Sequence, residues 1–386
     1  MQSKLLIKNM TDISNDRQTV MPSKQKLRVF VGIHEVGDYT LCLSRGLREL
    51  GFQVTNVVLE IKSPLDKREY SHDRYIRRSG NIFVIGLRLL REFLRQIPYH
   101  DVFVFNCSRS FLGDIIYSPI KWLREFAYID LWLLKRLGKK VVIVISGSEL
   151  RSLSLMIEEI KAAGLIQHTK FVTVNLANAL GGQEDINRKR AAVVEAYADH
   201  IFARPMAAQF LNRKYHLFWI PVDLRTVEFS ICNVDPPLVI HAPSNDLIKG
   251  TKYVLEAAER LRKEGYKFRL ELCQNMRNIE VRKKLTRSQI VIDQLILPGY
   301  GLFAIEAMAS GNAVIGSAVP GYNDFADDMP VLTTTPDTIY ENLKSLLENP
   351  SLRTDLAIRG RKWVEKYHDH RVVTRDFIKA IGIDCD

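Results

Sequence analysis

The chain contains the stretch Ile290-Val-Ile-Asp-Gln-Leu-Ile-Leu-Pro-Gly-Tyr-Gly-Leu-Phe-Ala-Ile-Glu-Ala-Met-Ala-Ser-Gly311, which is its most informative segment. A short apolar run predicts a buried strand, which leads into a turn with Gly299 and Gly301 and then a helix ended by Gly311. Glycines let backbone amides approach a ligand, and a helix N-terminus favours an anion such as a diphosphate. Glu306 is the only charge in 302–309, and its carboxylate can accept paired hydrogen bonds from the vicinal hydroxyls of a ribose. From these residues alone, a nucleotide site and a packing helix with Glu306 in solvent are equally good interpretations.

Around this stretch, β-branched runs alternate with helical patterns, which is typical of parallel sheets covered by helices. The predicted strands are 27–33, 53–59, 82–85, 101–105, 140–145, 171–174, 200–203, 238–241, 268–272, 290–293, 313–316 and 330–332. Predicted helices include 129–137, 251–264, 336–349 and 351–367. The fold class is therefore α/β, with two Rossmann-like doubly wound domains facing a cleft, in which ligands bind beyond the carboxyl ends of strands. We place a polar tail at 1–25, the two domains at 26–230 and 231–365, and a closing segment at 366–386.

Composition indicates the cellular compartment in which the protein is expected. The cysteines Cys42, Cys107, Cys232, Cys273 and Cys385 are scattered without a CxxC pair, which fits a reducing compartment and argues against a thiolate zinc site. The polar N-terminus has no signal-peptide core, and no run of about 18 apolar residues could span a membrane. We therefore expect a cytoplasmic protein, with peripheral contact at the inner face of a membrane as a further expectation.

The net positive charge of the chain comes from its first half. Residues 1–230 carry 34 Lys+Arg against 23 Asp+Glu, whereas residues 231–386 carry 21 of each. This asymmetry indicates an anionic partner, which could be a membrane surface, an acidic or phosphorylated acceptor, or nucleic acid; a solvated basic face is the alternative. The stretch 87–95 places Leu87, Leu90 and Leu94 on one helical face and arginines along another, so it either lies on an anionic membrane or packs on its own domain.

A second candidate segment is His241-Ala-Pro-Ser-Asn-Asp-Leu-Ile-Lys-Gly-Thr251, which is predicted as a loop over 242–249 between a strand and a helix. Lys249 precedes Gly250 and a candidate N-cap at Thr251, so a cation and the positive end of the helix dipole meet at one point. That arrangement suits a diphosphate, and a surface lysine at a helix start is the alternative. Ser244 and Asn245 are further candidate ligand contacts in this loop.

The quoted residues resemble the signature of glycosyltransferase family 4, whose members are retaining enzymes with the GT-B fold. The family pattern E-G-F-G-L-x-x-L-E-A-M-A-x-G-x-P-V corresponds here to the string from Pro298 to Val314. The resemblance implies that Glu306 holds the donor ribose and that Gly299, Tyr300, Gly301 and Leu302 contact the donor. Pro298 replaces the first Glu of the pattern, which orients the sugar in the family and has no counterpart here.

The resemblance extends to the loops that would face the donor. Lys249-Gly250 matches the end of a family loop G-R-x-x-x-x-K-G that binds the pyrophosphate, with Ser244 at the arginine position. Gly37 lies where similar enzymes place a glycine-rich loop, and Ser148 and Glu149 match a G-S-D-x-R stretch on the acceptor side. A simple turn is an equal interpretation of both loops.

The resemblance therefore implies a hexosyltransferase-like enzyme that moves a sugar from a nucleoside diphosphate sugar to a hydroxyl acceptor, which could be a glycan, a lipid-linked molecule or a small molecule. It implies retention, with Lys249 and Glu306 as the catalytic residues. It also implies that 26–230 binds the acceptor, that 231–365 binds the donor, and that a closing helix in 366–386 crosses back to the first domain. No cofactor or metal is expected, because no cluster of metal-ligand residues is visible in the sequence. A sugar-nucleotide epimerase and a non-catalytic sugar-nucleotide-binding protein remain alternatives. Nucleic-acid binding would explain the charge but is not expected, because no aromatic–basic recognition motif is present.

Overall fold

The computed structural model describes residues 27–60, 71–118, 121–147, 149–162, 184–296, 299–317 and 328–383. The predicted tail at 1–25, the predicted strand at 171–174, and the two residues Ser148 and Pro298 lie outside this part of the chain. Within it, no helix is both long and apolar enough to cross a membrane.

The first half of the described chain forms a seven-stranded sheet with the order β3-β2-β1-β4-β5-β6-β7, in which every neighbouring pair is parallel. Its elements are β1 (Arg28–Ile33), α1 (Tyr39–Glu49), β2 (Gln53–Leu59), β3 (Arg74–Ile76), α2 (Ile82–Gln96), β4 (Val102–Asn106), α3 (Ile129–Arg136), β5 (Lys140–Ile145), α4 (Leu153–Ala162), α5 (Glu184–Tyr197), β6 (His200–Ala203) and β7 (His216–Leu217). This is the doubly wound order, and its switch point lies between β1 and β4.

The second half forms a five-stranded parallel sheet with the order β12-β11-β10-β8-β9. Its elements are β8 (Leu238–His241), α6 (Asp246–Lys249), α7 (Thr251–Lys263), β9 (Arg269–Leu272), α8 (Asn278–Leu285), β10 (Ile290–Ile292), α9 (Leu302–Ser310), β11 (Ala313–Gly316), β12 (Val331–Thr333), α10 (Ile339–Glu348), α11 (Pro350–Tyr367) and α12 (His370–Ala380). The switch point of this sheet lies between β8 and β10, so a crevice is expected at their carboxyl ends.

Two local predictions are wrong. The run at 82–85, predicted as a strand, is the first turn of α2, because the Asn81 side chain accepts a hydrogen bond from the Val84 amide and caps a helix that continues through the following leucines. The predicted loop at 242–249 ends in the short helix α6, because the Asn245 side chain accepts from the Leu247 amide.

One apolar cluster joins the two halves. It combines inward residues of β1 and α1, such as Val31 and Leu47, with residues of α9, α11 and α12, such as Met308, Val364 and Phe377. The closing helix α12 packs on α1 so closely that a Cβ on Gly46 would lie 2.1 Å from the Thr374 hydroxyl oxygen. The two sheets therefore share a core at the base of the space between them.

Candidate functional site

The switch point of the second sheet brings together the loops after β8 and β10. His241, the last residue of β8, is buried and fixes both loops through its ring: one nitrogen lies 2.9 Å from the Ile292 carbonyl oxygen and the other 3.0 Å from the Thr251 hydroxyl. Burial lowers the pKa of His241 to about 4. A neutral ring donates to the carbonyl and accepts from the hydroxyl, so the start of α7 is held beside the end of β10.

Lys249 reaches across this crevice to the loop after β10. Its ammonium pairs with the Asp293 carboxylate and lies 3.3 Å from the Gln294 side-chain oxygen. Asp293 is fully buried and also accepts a hydrogen bond of 3.2 Å from the Gly301 amide. The lysine ammonium has three N–H donors. Among the described residues, these two partners use two of them, which leaves one N–H for a ligand. The Gly301 amide points at Asp293 in this structure and is not directed to open space.

Glu306 lies inside the second domain, and the interpretation that placed it in solvent is wrong. Its side chain is 2% exposed. Arg282 of α8 donates to it from two nitrogens at 3.1 and 2.8 Å, and the Asn278 amide nitrogen lies 3.5 Å away. Charged groups are buried at low cost only when paired in this way. A bound ribose would therefore share or displace the guanidinium of Arg282.

The loop after β1 meets helix α9 of the second domain directly. A Cβ on Gly37 would lie 2.4 Å from the Leu302 side chain, so this position requires glycine, and its φ of 62° does so independently. Next to it, Asp38 lies 3.5 Å from Arg282 across the space between the domains. Gly37, Asp38, Arg282 and Leu302 line a cavity of about 150 Å³ between the two sheets.

Glu35 positions this loop. Its buried carboxylate accepts hydrogen bonds from the amides of Val36 and Leu41 at 2.8 and 3.1 Å, and also from Thr40. It thereby caps the first turn of α1, where the helix dipole favours an acceptor. Burial raises the pKa of Glu35 to about 7.

Tyr300 joins the two domains, and its ring lies in the core. It is buried, its backbone oxygen accepts a 3.1 Å hydrogen bond from Arg204 at the end of β6, and the guanidinium lies 4.7 Å from its ring centre. Its hydroxyl lies 3.0 Å from a ring nitrogen of His368. The other ring nitrogen donates to the Ile220 carbonyl oxygen, and burial lowers the pKa of His368 to about 3. The ring is thus neutral and accepts from Tyr300.

The remaining predicted residues fall into two groups. Ser244 and Asn245 are exposed at the mouth of the crevice, and Gly250 and Gly299 adopt positive φ angles of 69° and 85° in its two loops. Glu149 lies apart from these loops, at the end of β5, where it accepts a 3.1 Å hydrogen bond from the Ser146 amide.

Sequence reasoning missed four residues of this arrangement: Asp38, Arg204, Arg282 and Asp293. Asp293 had a usable signal, because it directly follows a buried strand at the end where ligand loops lie. Arg282 had no such signal in the sequence, because it lies among other charged residues of an ordinary helix. Within the described residues, no group of three or more His, Cys, Asp or Glu side chains is arranged to hold a metal ion.

The two doubly wound sheets, with a cavity between them and their ligand loops at adjoining edges, define the GT-B fold. No protein-family model matches the chain, and no curated protein sequence matches it. Solved structures do match it over nearly its whole length, and they are GT-B proteins. The predicted fold and the predicted structural resemblance are confirmed.

Three of these structures illustrate the likeness. Sucrose-phosphate synthase from Thermosynechococcus elongatus is 16% identical, with 92% of this chain and 98% of that chain covered and a TM-score of 0.58. Anabaena HepE, solved in complex with UDP, is 10% identical, with 92% and 99% covered and a TM-score of 0.58. A putative UDP-N-acetylglucosamine 2-epimerase from Listeria monocytogenes is 13% identical, with 92% and 96% covered and a TM-score of 0.56. At such identities the likeness establishes the fold.

Proposed function

We propose that the chain is a glycosyltransferase that moves a sugar from a nucleoside diphosphate sugar to a hydroxyl acceptor, with retention of configuration. The observation that carries the proposal is the position of Lys249 and Glu306 on helices of the second domain. Lys249 stands at the crevice between β8 and β10, and Glu306 lies in α9, the helix that follows the loop after β10. Lys249 can meet a diphosphate and Glu306 the hydroxyls of a ribose.

The chemistry requires stabilisation of charge on the leaving diphosphate. As the bond to the sugar breaks, negative charge grows on the terminal phosphate oxygens, and a prepositioned cation lowers the barrier. The buried carboxylate of Asp293 holds the ammonium of Lys249 beside the loop after β10. The loop at Gly37 closes the site from the first domain, which limits attack by water. The scheme uses no protein nucleophile.

The nature of the donor is inferred from fold relatives. HepE was solved with UDP and with UDP-glucose, and both structures share the two-domain arrangement of this chain. We expect a nucleoside diphosphate hexose, bound without a metal ion. The acceptor would enter from the first domain, on the side of Glu149.

A panel of nucleoside diphosphate sugars in a thermal-shift assay tests the proposal. A ligand at a hundred times its Kd stabilises the native state by about 2.7 kcal/mol, so the true donor raises the melting midpoint by several degrees. Lys249→Ala should abolish this rise, whereas Lys252→Ala, on the exposed side of α7, should keep it. Absence of any stabilising nucleotide sugar would contradict the proposal.

A second candidate function is epimerisation of a sugar nucleotide, favoured by the likeness to the Listeria protein. Incubation of the stabilising donor without acceptor distinguishes the two, because an epimerase changes the sugar of the donor alone. A donor that binds but is changed neither alone nor with any acceptor would point to a binding protein without activity.

A further inference from the structure

Helix α2 carries two separate apolar faces. One face, formed by Leu89 and Phe93, is buried against the first sheet. The other consists of Phe83, Leu87, Leu90 and Leu94 at the spacing i, i+4, i+7 and i+11, and all four are exposed, Phe83 by 69% and Leu87 by 67%. At about 100° per residue, these four side chains fall within an arc of about 60°, centred about 110° from Leu89 and Phe93. We call these four residues the outer stripe.

The exposure of four aligned apolar side chains on one helix face requires an explanation. Single apolar residues on a surface are normal, but aligned ones on one helix face mark an interaction site. Folding already uses Leu89 and Phe93, so the outer stripe does not contribute to packing α2 on its own domain. The prediction that α2 packs on its domain and the prediction that it faces a membrane are thus compatible within one helix.

The charges beside the outer stripe indicate the partner. Arg88, Arg91 and Arg95 line the neighbouring face of α2, and its one acidic residue, Glu92, is turned inward and pairs with Arg74 at 3.0 Å. The solvent side of the helix therefore combines apolar and positively charged side chains without a carboxylate. The positive excess of the chain also lies in residues 1–230, most of which form this domain. An anionic surface complements these charges.

Exposed aromatic side chains occur on the same side of the sheet. Helix α3 buries Leu131 and Leu134 in the apolar cluster that also receives Leu89 and Phe93 of α2. Next to α3, Trp122 and Phe126 are exposed and contact each other edge to face, with ring centres 6.1 Å apart. Tryptophan favours the boundary between lipid and water, where its ring is partly apolar and partly polar.

We propose that the outer stripe and the arginines of α2 dock the protein on the surface of an anionic lipid bilayer. The helix would lie in the plane of the surface, with the outer stripe in the acyl boundary and the arginines among the phosphates. This proposal is independent of the proposed enzymatic function, since none of these residues lines the cleft.

Flotation of the full chain with vesicles tests the proposal. The wild type should float with phosphatidylcholine vesicles that contain phosphatidylglycerol, and much less with phosphatidylcholine alone. Leu87→Ser/Leu94→Ser should lower the partition coefficient by about 10²-fold, since burial of each leucine is worth about tenfold or more. The matched control Leu255→Ser/Ile358→Ser replaces exposed apolar residues of the second domain and should leave binding unchanged.

The charge contribution is tested separately. Arg91→Glu/Arg95→Glu should lower binding by about 10²-fold or more, because each basic residue near such a surface contributes about fivefold. Lys252→Glu/Lys263→Glu, on exposed positions of α7, is the control. Melting midpoints of all variants should match the wild type, since the changed side chains are exposed.

Three results would overturn the proposal. The first is a wild-type chain that stays unbound with anionic vesicles. The second is equal loss of binding in the control pair and the α2 pair. The third is a dimer in solution that Leu87→Ser/Leu94→Ser dissociates, which would assign the outer stripe to a second copy of the chain.

Discussion

Replacing Lys249 by alanine tests the central contact of the site, and the structure predicts two separate effects. The first is on stability. The Asp293 carboxylate is fully buried and would keep only the Gly301 amide as a donor. Removal of one partner from a buried ion pair costs about 3–5 kcal/mol. At about 2–4 °C per kcal/mol for a domain of this size, the melting midpoint should fall by about 10 °C.

The second effect is on turnover, and it is separated from the first by a double variant. Lys249→Ala/Asp293→Asn removes both charges and keeps a side-chain oxygen to accept from the Gly301 amide. Its melting midpoint should recover most of the loss. If Lys249 stabilises the leaving diphosphate, turnover should nevertheless stay about 10²-fold or more below the wild type, which is the usual cost of one lost transition-state contact.

The assay is the initial rate of nucleoside diphosphate release with the donor found by thermal shift, measured beside thermal melts of each variant. Lys252→Ala controls for the loss of a lysine from the same helix start. Turnover of the double variant within a few-fold of the wild type would show that Lys249 serves only to neutralise Asp293. That result would refute the assignment of Lys249 to the diphosphate.

Three further predictions follow from the contacts around the cleft. Gly37→Ala should reduce turnover at least tenfold, because its Cβ would lie 2.4 Å from the Leu302 side chain and would displace it at the cleft; Gly265→Ala, which also has a positive φ but open space around it, should cost only about 1–2 kcal/mol of stability, and equal effects on turnover would contradict the reasoning. Because the pKa of His368 is lowered to about 3 from 6.5, the unfolded state binds the proton first. The stability from this group is complete above pH 6.5 and is lost as pH falls, by about 2 kcal/mol at pH 5; calorimetry of His368→Gln should show a shallower dependence between pH 7 and pH 5 than the wild type. Arg282→Ala should lower the melting midpoint, because it leaves the buried Glu306 without its cation, and Arg282→Ala/Glu306→Gln should restore it; a single variant as stable as the wild type would show that Glu306 does not depend on Arg282.

The order of strands and helices was predictable because it depends on local sequence patterns. Runs such as 141–145 and 290–292 are apolar throughout, as expected of strands buried on both faces, and the glycines near Tyr300 mark a turn at a strand end. The run at 82–85 was misread because four apolar residues fit a strand or a helix equally well. The N-cap at Asn81 and the leucines later in α2 favour the helix.

The charged contacts of the site were not predictable from local pattern. The contacts of Arg282 with Glu306 and Asp38 join residues that are remote in sequence. They form only when the two sheets are placed relative to each other. The same reason applies to α2, where periodicity identifies the leucines but not their surroundings. Leu89 and Leu87 are two positions apart, yet one faces the sheet and the other faces solvent.

The stretch that resembles the family signature has a structural role in addition to its proposed binding role, and this role belongs to Tyr300. Its backbone is part of the loop before α9, while its side chain and carbonyl are held by Arg204 of the first domain and by His368 at the end of α11. A donor that moved this loop would have to stretch contacts to both, because interiors are close-packed and do not deform gradually. If the chain binds a donor as proposed, donor binding and the relative position of the two domains would be coupled through Tyr300. A ligand that binds one domain arrangement more tightly shifts the population toward it, and this residue is the physical connection through which the shift would act.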